Sequence, residues 1–560
     1  MDKNKLKIGL LLDSYTVPAW SLKMIQNIID SDYAEVSLVI LSDRKIVKKR
    51  KSLLTKVMNN RGRITRILVR TALESIYNNL IERNTYLPHA DKKENSEALL
   101  SNTPSIKVKT VRKKWSDYFT KEDISEINKH EIDILVRCGF GILRGDILKS
   151  AKYGIWSFHH GDNAMNRGGP PGFWESMESW DETGSILQVL TEDLDNGKVL
   201  CRSFSCTNNL SVTDNKNNYY WKSLSFITRK MKELYDNGAE IFFAKVEHEN
   251  RHPTFYSERL YVSPTNRELA KLTAKKLKEK IIRLYENKFY INQWIIMFHL
   301  NNEFSSSLWR YKKIIPPLDR FWADPHIIYK DNKYYIFIEE LLYSTNKGHI
   351  SLIVMEEDGT YSQPESIIEQ PYHLSYPFIF EHENRYYMIP ESIDNKTIEL
   401  YECIDFPYKW ELKMNLMENV SAVDTTLYHH QNKWWMFTNI VENEGASSFD
   451  ELFLFHSENL FTDNWQSHPL NPVISDCKTA RPAGKLFVEN DTLYRPSQNC
   501  SKRYGYGFNI NEVTKLTENE YSEQMVSSVK PNWDKNIVGT HTFNRVKALH
   551  VIDAYHKRRR

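Results

Sequence analysis

The stretch Gly154-Ile-Trp-Ser-Phe-His159 places a histidine at the end of a short apolar strand. A glycine- and proline-rich loop, Arg167-Gly-Gly-Pro-Pro171, follows it, and a carboxylate comes later in Leu194-Asp195-Asn-Gly197. A histidine at a strand end can take a proton from an incoming nucleophile, and a carboxylate beside it can orient the ring and stabilise the imidazolium that forms. The pattern predicts acyl-transfer chemistry with His159 as the base and Asp195 as its partner.

The chain upstream of this stretch is typical of an α/β protein. Lys7-Ile-Gly-Leu-Leu-Leu12 has the composition of a buried parallel strand, residues 20–29 that of a helix, and Val36-Ser-Leu-Val-Ile-Leu41 that of a second strand. This order is a βαβ unit. No Gly-x-Gly-x-x-Gly follows the first strand, so a dinucleotide is not indicated. We predict an open, doubly wound α/β sheet whose site lies at the carboxyl ends of its strands, where His159 would sit.

These motifs resemble the formyltransferase family, whose members act on methionyl-tRNA, glycinamide ribonucleotide and nucleotide-linked amino sugars. The family signature runs Gly-x-x-Asn-x-His, Arg-Gly-x-x-Pro, Thr-Gly and Leu-Asp-x-Gly, and residues 105–205 reproduce its order and spacing. A weaker likeness covers residues 1–44. The matching positions are His159, Arg167, Gly168, Pro171, Thr183-Gly184, Asp195 and, upstream, Ile134-Leu-Val-Arg-Cys-Gly139-Phe-Gly141.

The resemblance implies that His159 is the general base, that Asp195 orients it and that 10-formyltetrahydrofolate is the donor. It places the donor beside Gly139, Gly141, Arg167, Gly168 and Pro171. Ser157 stands where the family has an asparagine whose amide donates to the developing oxyanion, and losing such a donor typically costs about 2.7 to 4 kcal/mol. A serine hydroxyl can also donate, but it is shorter, so we count Ser157 as a substitute polar contact. The alternative is that His159 and Asp195 form a buried pair in a fold that no longer catalyses.

Composition sets the frame for these motifs. A chain of 560 residues is too long for one core, so two to four domains are expected. The net charge of +3 and the 41% hydrophobic content are typical of a soluble protein. The six cysteines form no Cys-x-x-Cys and no zinc-type spacing, so neither a disulfide scaffold nor a metal is expected. No stretch matches a signal peptide or a membrane span, which predicts a cytoplasmic location.

A basic segment interrupts the α/β region. Residues 44–73 contain eleven Lys or Arg and no Asp or Glu. Ile64, Ile67, Leu68 and Thr71 share one helical stripe, which predicts a basic amphipathic helix within an insertion at about 44–100. Three interpretations stay open: a solvated insertion, a platform for a phosphate-bearing substrate, and peripheral contact with an anionic membrane. We place the α/β domain at 1–205 and a helical linker at 206–286.

The C-terminal half repeats itself. Strand pairs about ten residues apart recur with starts at Asp324, Tyr376, Asp424, Arg481 and Gly539, which differ by 52, 48, 57 and 58 positions. Each pair reads as a hairpin with further strands after it. Units of this length and content, side by side, are typical of β-propeller blades. The sequence therefore predicts a five-bladed β-propeller over residues 287–560, and an α/β plus all-β protein overall.

Short sequence motifs within the repeats resemble a second family. These motifs are Phe321-Trp-Ala-Asp-Pro325, His373-Leu-Ser-Tyr-Pro377, Met388-Ile-Pro-Glu-Ser392, Ala480-Arg-Pro-Ala-Gly484 and Arg495-Pro-Ser-Gln498. They resemble the N-terminal domain of plant glucosamine inositolphosphorylceramide transferases over residues 290–555. That domain is itself similar to the five-bladed propellers of glycosidases such as arabinanases and xylosidases.

Glycosidase propellers hold carboxylates in a central funnel, which suits the two-carboxylate chemistry of glycoside cleavage. The candidate funnel residues here are Asp324, Glu391 and Asp424, with Arg481, Arg495, Gln498 and His541 as polar companions. Asp324 alone matches a glycosidase motif residue directly. We favour a sugar-binding funnel without hydrolysis, because a fold does not license an activity. The alternative is that these groups cap strand ends and hold the blades together.

Together these features predict formylation, or a related acylation, of an amino sugar. The acceptor would be nucleotide- or lipid-linked and serve surface polysaccharide synthesis. One alternative is a glycan-processing or glycan-binding propeller with a non-formylating N-terminal domain. Another is a carbohydrate-binding protein, not an enzyme, held at a membrane by the basic helix. A tRNA acceptor is disfavoured, because nothing resembles the tRNA-binding barrel of methionyl-tRNA formyltransferase.

Overall fold

The computed structural model describes residues 4–43, 61–82, 88–304 and 307–560. The chain forms two compact units. The first, here the α/β unit, comprises Met1–Ser203, Thr207–Lys280 and Asn443–Ala446. The second, here the propeller unit, comprises Phe204–Cys206, Ile281–Glu442 and Ser447–Arg560.

The first part of the chain alternates strands and helices. Its strands are β1 (Leu6–Leu12), β2 (Thr16–Pro18), β3 (Ala34–Ser42), β4 (Lys93–Asn95), β5 (Ser105–Val108), β6 (Val111–Lys113), β7 (Ser116–Tyr118), β8 (Ile134–Arg137), β9 (Ile142–Leu143), β10 (Ile155–His159), β11 (Glu182–Val189) and β12 (Lys198–Cys206). Its α-helices are α1 (Ala19–Ile29), α2 (Arg61–Leu80), α3 (Lys121–Asn128), α4 (Phe173–Glu178), α5 (Val212–Asn237), α6 (Ala239–Glu249) and α7 (Asn266–Phe289), with a 3-10 turn at Asp146–Lys149.

Seven strands form the central sheet in the order β12-β11-β10-β8-β1-β3-β5. The five strands from β10 to β5 run parallel, and β11 is antiparallel to β10. From β1 the chain moves outward to β3 and later returns on the other side to β8, so the strand order reverses between β1 and β8. In open α/β sheets such a reversal leaves a crevice outside the carboxyl ends of the strands. The predicted α/β fold with a parallel sheet is confirmed, while its assignment to the formyltransferase type stays a prediction.

Helices cover the sheet where a separate linker was predicted. Buried residues of α5 and α6, among them Phe226 and Phe242, join the same apolar cluster as Ile8 and Leu10 of β1. The predicted linker at 206–286 is therefore largely part of the α/β unit, because these helices bury the apolar face of its sheet. The helix α7 begins at Asn266 and runs to Phe289, past the predicted boundary at 286.

The basic segment is described only in part, since residues 44–60 lie outside the described residues. Helix α2 forms over Arg61–Leu80 as expected from the pattern. Tyr77 is buried in one cluster with Leu272 of α7, whereas Ile67 and Leu68 of the predicted stripe are 56% and 64% exposed. No helix among the described residues is long and apolar enough to span a membrane.

The propeller unit consists of antiparallel sheets. Its strands are β13 (Tyr290–Leu300), β14 (Lys312–Ile314), β15 (Arg320–Lys330), β16 (Lys333–Leu342), β17 (Lys347–Glu356), β18 (Glu365–Ile368), β19 (Ser375–His382), β20 (Arg385–Ser392), β21 (Thr397–Asp405), β22 (Lys409–Glu418), β23 (Ala422–His430), β24 (Lys433–Ile440), β25 (Glu451–Ser457), β26 (Gln466–Ser467), β27 (Ile474–Ser475), β28 (Phe487–Glu489), β29 (Thr492–Asn499), β30 (Gly507–Leu516), β31 (Tyr521–Val529), β32 (Ile537–Gly539), β33 (Phe543–Val546) and β34 (Leu549–Arg559), with 3-10 turns at Leu308–Arg310 and Ile393–Asn395.

These strands form five sheets, which we call blades. Blade 1 is β15–β18, blade 2 is β19–β22, blade 3 is β23–β27 and blade 4 is β28–β31. Blade 5 joins both ends of the unit, because β13 and β14 pair with β34, which also pairs with β32 and β33. In blade 4 a strand was predicted to start at Arg481, whereas the described chain makes an isolated bridge between Pro482 and Ser497 and begins β28 at Phe487.

Apolar clusters link each blade to the next and close a ring. One pair from each cluster, in order from blade 5 to blade 1 onward, is Ile296 with Ile336, Phe337 with Ile379, Leu400 with Met436, Leu454 with Leu516, and Phe508 with Ile552. Every blade thus has both faces covered by its neighbours. This closed arrangement of five blades is a β-propeller.

Three blades begin with the same local distortion. Asp324, Tyr376 and Asp424 have φ values of 52°, 41° and 52°, in the left-handed region, and each lies where the strand register shifts. Such bulges re-aim a side chain at the cost of backbone strain. The sequence repeat therefore marks a repeated backbone bulge at the start of three inner strands.

The closing strand offers a test of the ring. Ile552 is fully buried between blades 4 and 5, so Ile552→Ala should lower the free energy of unfolding of the propeller unit by about 2 to 5 kcal/mol. Ile404 of β21 is 52% exposed, and Ile404→Ala should change it by less than about 0.5 kcal/mol. Denaturant unfolding curves of the two variants check this, and equal midpoints would contradict the closed ring.

Candidate functional site

The candidate site of the α/β unit lies at the carboxyl ends of β8 and β10. Ser157 of β10 is in register with Arg137 of β8, so both side chains project from the same face of the parallel sheet. His159 is two positions beyond Ser157 and shares that face. The end of β1, followed by Asp13, lies next to β8 at the same edge. The strand reversal thus collects these polar side chains in one place.

The structure brings His159 and Asp195 together. His159 Nδ1 lies 3.5 Å from Asp195 Oδ1, and the two side chains are 8% and 18% exposed. Asp195 has a φ of 50°, and its Oδ2 accepts a hydrogen bond of 3.0 Å from the backbone N–H of Gly168. The loop after β10 therefore helps to hold the carboxylate against the imidazole.

The second ring nitrogen of His159 is also engaged. His159 Nε2 lies 2.7 Å from the backbone carbonyl oxygen of Asn166. Both ring nitrogens thus face oxygen acceptors, and a neutral imidazole has only one N–H to donate. An imidazolium would satisfy both contacts. To act as a base toward a ligand, Nε2 has to leave the Asn166 carbonyl.

Ser157 contacts Arg137. The guanidinium Nη1 donates a hydrogen bond of 3.0 Å to Ser157 Oγ. Among the described residues, the Arg137 guanidinium makes this one hydrogen bond, and the Arg137 Nε is buried without a partner. Burial lowers the pKa of Arg137 below its ordinary value, while Asp195 opposes this shift. Arg137 was not singled out from the sequence, although a charged residue at the end of an apolar strand was the available signal.

The Arg167–Pro171 loop is tied to a later segment of the same unit. Arg167 Nε donates to the Asn163 carbonyl at 2.8 Å, and its Nη2 donates to Asn196 Oδ1 at 2.9 Å. Gly168 has a φ of 106°, and a Cβ there would lie 2.1 Å from the Tyr261 carbonyl oxygen. The loop therefore needs glycine at this position to approach the chain near Tyr261, and Pro171 then leads into α4.

The upstream glycines serve close packing. A Cβ at Gly139 would lie 2.4 Å from the backbone nitrogen of Asp13. The Gly141 N–H donates a hydrogen bond of 2.6 Å to Asp117 Oδ2, so this amide is occupied within the protein. The structure thus uses both glycines to fold the loop after β8 against its neighbours, and their contact with a donor stays a prediction.

A buried pair behind His159 was not foreseen. Asn166 Nδ2 donates a hydrogen bond of 2.7 Å to Glu175 Oε1, and both residues are almost fully buried. Burial raises the pKa of Glu175 to about 7. Glu175 lies on α4 and accepts a hydrogen bond from Asn166, whose backbone carbonyl oxygen contacts His159 Nε2. These contacts connect α4 to the candidate site.

In the propeller unit, Arg481 gathers two of the predicted carboxylates. Its Nε and Nη2 donate to the two oxygens of Asp424, at 2.5 and 3.2 Å, and Nη2 lies 3.3 Å from Glu391 Oε2. Gln498 Nε2 donates to Asp424 Oδ2 at 2.6 Å. Burial and the neighbouring Asp424 raise the pKa of Glu391 well above its ordinary value, against the effect of Arg481.

His541 gathers the other carboxylates. Its Nδ1 makes a short ion pair with Asp553 and lies 3.7 Å from Asp324 Oδ1, which also accepts a hydrogen bond of 2.6 Å from the Thr542 hydroxyl. Burial lowers the pKa of His541, but Asp553 and Asp324 raise it, to about 9. Burial raises the pKa of Asp324 to about 7, against the effect of His541. Asp553 was missed because it lies in the last strand, away from the quoted motifs.

The same three side chains could hold a cation by position alone. One potential ligand atom from each of Asp324, His541 and Asp553 lies within 4.8 Å of the others. Their oxygens already accept hydrogen bonds, since Asp553 receives the backbone N–H groups of Asp324, His541 and Thr542. The hydrogen bonds account for the cluster as an ion-paired network.

Aromatic rings join the two propeller groups. The Trp294 ring stacks on His541 with centroids 4.1 Å apart. The Tyr504 ring packs edge-on against His541 at 5.1 Å, and the Arg481 guanidinium lies 5.0 Å from its centroid. The Arg481 cluster and the His541 cluster therefore both contact the Tyr504 ring.

Arg495 stays outside this cluster. Its Nε and Nη2 donate to Glu523 at 2.7 Å each, and its Nη1 donates to the Ala480 carbonyl oxygen at 3.3 Å. These contacts link β29 to β31 and to the chain before Arg481. The structure thus places Arg495 in the interior of blade 4 and leaves it no role in the predicted funnel.

Comparison with known proteins concerns the propeller unit. Residues 315–557 match the family described as glucosamine inositolphosphorylceramide transferase 1, N-terminal. The protein of that name from Oryza sativa subsp. japonica is 32% identical over 210 residues, 37% of this chain and 28% of that protein. The one from Arabidopsis thaliana is 29% identical over 206 residues, 36% of this chain and 27% of that protein. The match thus spans little more than a quarter of these relatives, and it confirms the predicted resemblance of the repeats.

Solved structures with a similar chain course include glycoside hydrolases. Zg3597, a family 117 glycoside hydrolase of Zobellia galactanivorans, has a TM-score of 0.32 and 12% identity, covering 48% of this chain and 90% of that one. An exo-1,5-α-L-arabinanase from a bovine ruminal metagenomic library has a TM-score of 0.30 and 15% identity, covering 42% and 88%. The relatives of the propeller unit are thus glycan-related transferases by name, and the formyltransferase resemblance of the first half stays a prediction.

Glu175 predicts a pH dependence of stability. Its pKa is about 7 in the folded protein against an ordinary 4.5, so the native state holds a proton that the unfolded chain releases between these values. Stability should therefore fall as pH rises through this window, by on the order of 3 kcal/mol. Glu175→Gln removes the titration, so the variant should gain stability relative to the wild type from pH 5 to pH 8. Melting temperatures at each pH check this, and parallel pH profiles would refute it.

The Arg481 cluster predicts unequal costs for two substitutions. Arg481→Met leaves Asp424 buried without its cation, which should cost about 3 to 5 kcal/mol of stability. Glu391→Gln is the matched control, because burial raises the pKa of Glu391 and so favours the neutral carboxyl that a glutamine amide resembles. The control should therefore cost less than about 1 kcal/mol. Denaturant midpoints compare the two, and a larger loss in Glu391→Gln would show that Glu391 is ionised.

Proposed function

We propose that the α/β unit transfers a formyl or related acyl group from a folate-type donor, 10-formyltetrahydrofolate, to the amino group of a sugar. The observation that carries this proposal is the approach of His159 to Asp195 at the strand reversal, with Ser157 beside them. The order of motifs around this pair is that of the formyltransferases. We propose a nucleotide- or lipid-linked amino sugar for surface polysaccharides as the acceptor.

His159 and Asp195 divide the proton chemistry. An attacking amine loses a proton as its nitrogen binds the acyl carbon, and the imidazole is positioned to take it once Nε2 leaves the Asn166 carbonyl. Asp195 then faces an imidazolium, and this charge-assisted contact favours the protonated ring. Gly168 keeps the carboxylate in place through its N–H.

The donor would lie along the same edge. The folate supplies the activated formyl group when it is bound. The Arg167–Pro171 loop and the loop of Gly139 and Gly141 flank the strand ends, and a buried nitrogen of Arg137 has no partner among the described residues. A carbonyl-bearing ligand fits this arrangement, because it would bring the acceptor atom that the guanidinium lacks.

The propeller unit binds glycan in this proposal. Its buried carboxylates, with Arg481, Gln498 and His541 around the Tyr504 and Trp294 rings, combine polar groups and aromatic surface as ligand sites do. The relatives carry the name glucosamine inositolphosphorylceramide transferase, which favours a glycan or glycolipid partner. The second candidate function is accordingly a glycan-processing or glycan-binding propeller whose α/β unit does not formylate. We further propose a cytoplasmic location with peripheral contact to anionic membrane through residues 44–73.

Folate binding and transfer by the full-length protein test the proposal. Calorimetric titration should show binding of 5-formyltetrahydrofolate, and 10-formyltetrahydrofolate with a panel of nucleotide-linked amino sugars should give an N-formyl product. Asp195→Asn keeps an acceptor for Gly168 but loses the charge, so kcat should fall about 10²- to 10⁴-fold. The exposed Asp193, two residues away, provides the matched control, and Asp193→Asn should keep full turnover. Absence of folate binding would favour the glycan-binding alternative.

A further inference from the structure

A partly buried arginine, whose buried Nε has no partner in the described part of the chain, lies at the strand-end edge of the candidate site in the α/β unit. Arg137 ends β8, a strand whose other residues are fully buried and apolar. An arginine carries five N–H donors. Among the described residues its hydrogen-bond partner is Ser157 Oγ, at 3.0 Å, and its Nε is buried and unpartnered. A buried donor left without an acceptor is costly, so this arrangement requires an explanation.

The position of Arg137 relative to Ser157 suggests one. The two residues are in register on adjacent parallel strands and project from one face. A serine at 157 is shorter than an asparagine, and the guanidinium lies directly beside it, with Nη1 3.0 Å from its hydroxyl oxygen. Burial lowers the pKa of Arg137, and Asp195 leads the neighbouring groups that raise it, so the guanidinium lies near the proposed proton-handling pair.

Resting on the proposed function, we infer that Arg137 is the oxyanion-stabilising residue of this site, in place of an asparagine at position 157. The attacking amine forms a C–N bond to the formyl carbon, and the carbonyl electron pair moves onto the oxygen. Arg137 N–H groups donate to that oxygen while His159 takes the proton of the amine. The oxygen then restores its double bond, the bond from carbon to the donor nitrogen breaks, and the proton passes to that nitrogen.

Electrostatics favours this assignment over a purely structural one. A guanidinium donor is charge-assisted and therefore stronger than a neutral amide. Pre-oriented donors in a site that excludes water act on charge that develops only in the transition state. A structural arginine would be expected to spend its donors on protein acceptors, as Arg495 does with Glu523 and two backbone carbonyls. Arg137, by contrast, leaves its buried Nε without an acceptor among the described residues.

A compensating pair of substitutions tests the inference. Arg137→Leu should lower kcat about 10²- to 10³-fold, with the affinity for 5-formyltetrahydrofolate changed only a few-fold. The double variant Arg137→Leu with Ser157→Asn restores an amide donor at position 157 and should recover a tenfold or greater part of that loss. Arg137→Lys keeps the positive charge but loses the planar guanidinium, so its kcat should lie below that of the double variant. Melting temperatures establish that each variant is folded.

The outcomes separate this inference from the proposed function. If the wild type transfers formyl groups and Arg137→Leu has the same kcat, Arg137 is not the oxyanion donor, whereas the proposed function stands. If Arg137→Leu is folded and inactive but Ser157→Asn does not rescue it, its role is not that of the missing amide. If the wild type neither binds folate nor transfers the group, both the function and the inference fail.

Discussion

The propeller unit depends on the pairing of its first strand with its last. β13 and β34 are antiparallel neighbours over eleven residue pairs, from Tyr290 with Arg559 to Leu300 with Leu549. A ring of blades is held closed when strands from the two ends of the unit share one blade, and this pairing supplies that closure. The same strand carries Asp553, which pairs with His541 and receives the N–H of Asp324. The carboxylate cluster in the middle therefore exists only once the whole unit has folded.

The sequence was most informative where a pattern repeats or a motif is contiguous. The hairpin repeats predicted the blades because each blade is built from local antiparallel pairs. The histidine and the aspartate could be matched because both lie in short motifs around strand ends. Arg137, Glu175 and Asp553 could not be found this way. Arg137 meets Ser157 through the register of adjacent strands, Glu175 meets Asn166 through the packing of α4, and Asp553 contacts Asp324 across 229 positions. Arg495 and Gln498 were both predicted to line the funnel, but they lie three positions apart in β29, and residues an odd number of positions apart face opposite sides of a strand.

Two pairs of acidic side chains in the propeller unit lie where water is scarce, and each pair is balanced by a cation. Asp424 and Glu391 share Arg481, and Asp324 and Asp553 share His541. Removing ions from water is expensive, and only close, well-directed contacts offset that cost. Burial raises the pKa of Glu391 and of Asp324, which favours their neutral forms. The nearby carboxylates raise the pKa of His541, which favours its charged form. Protonation or deprotonation of one of these side chains therefore changes the electrostatic potential at the others.

Three inner strands start with a residue in the left-handed region, and the side chain at each of these bulges can differ while the backbone stays the same. Asp324, Tyr376 and Asp424 occupy equivalent bulges but carry an acid, a phenol and an acid, which shows that the backbone accepts different side chains at the same strained place. Because each blade maintains its bulge through its own strand pairing, exchanging the residue at one bulge alters the chemistry of the centre without redesigning the blade. The polarity of the centre can thus diverge by single substitutions at these three positions while the ring itself stays the same.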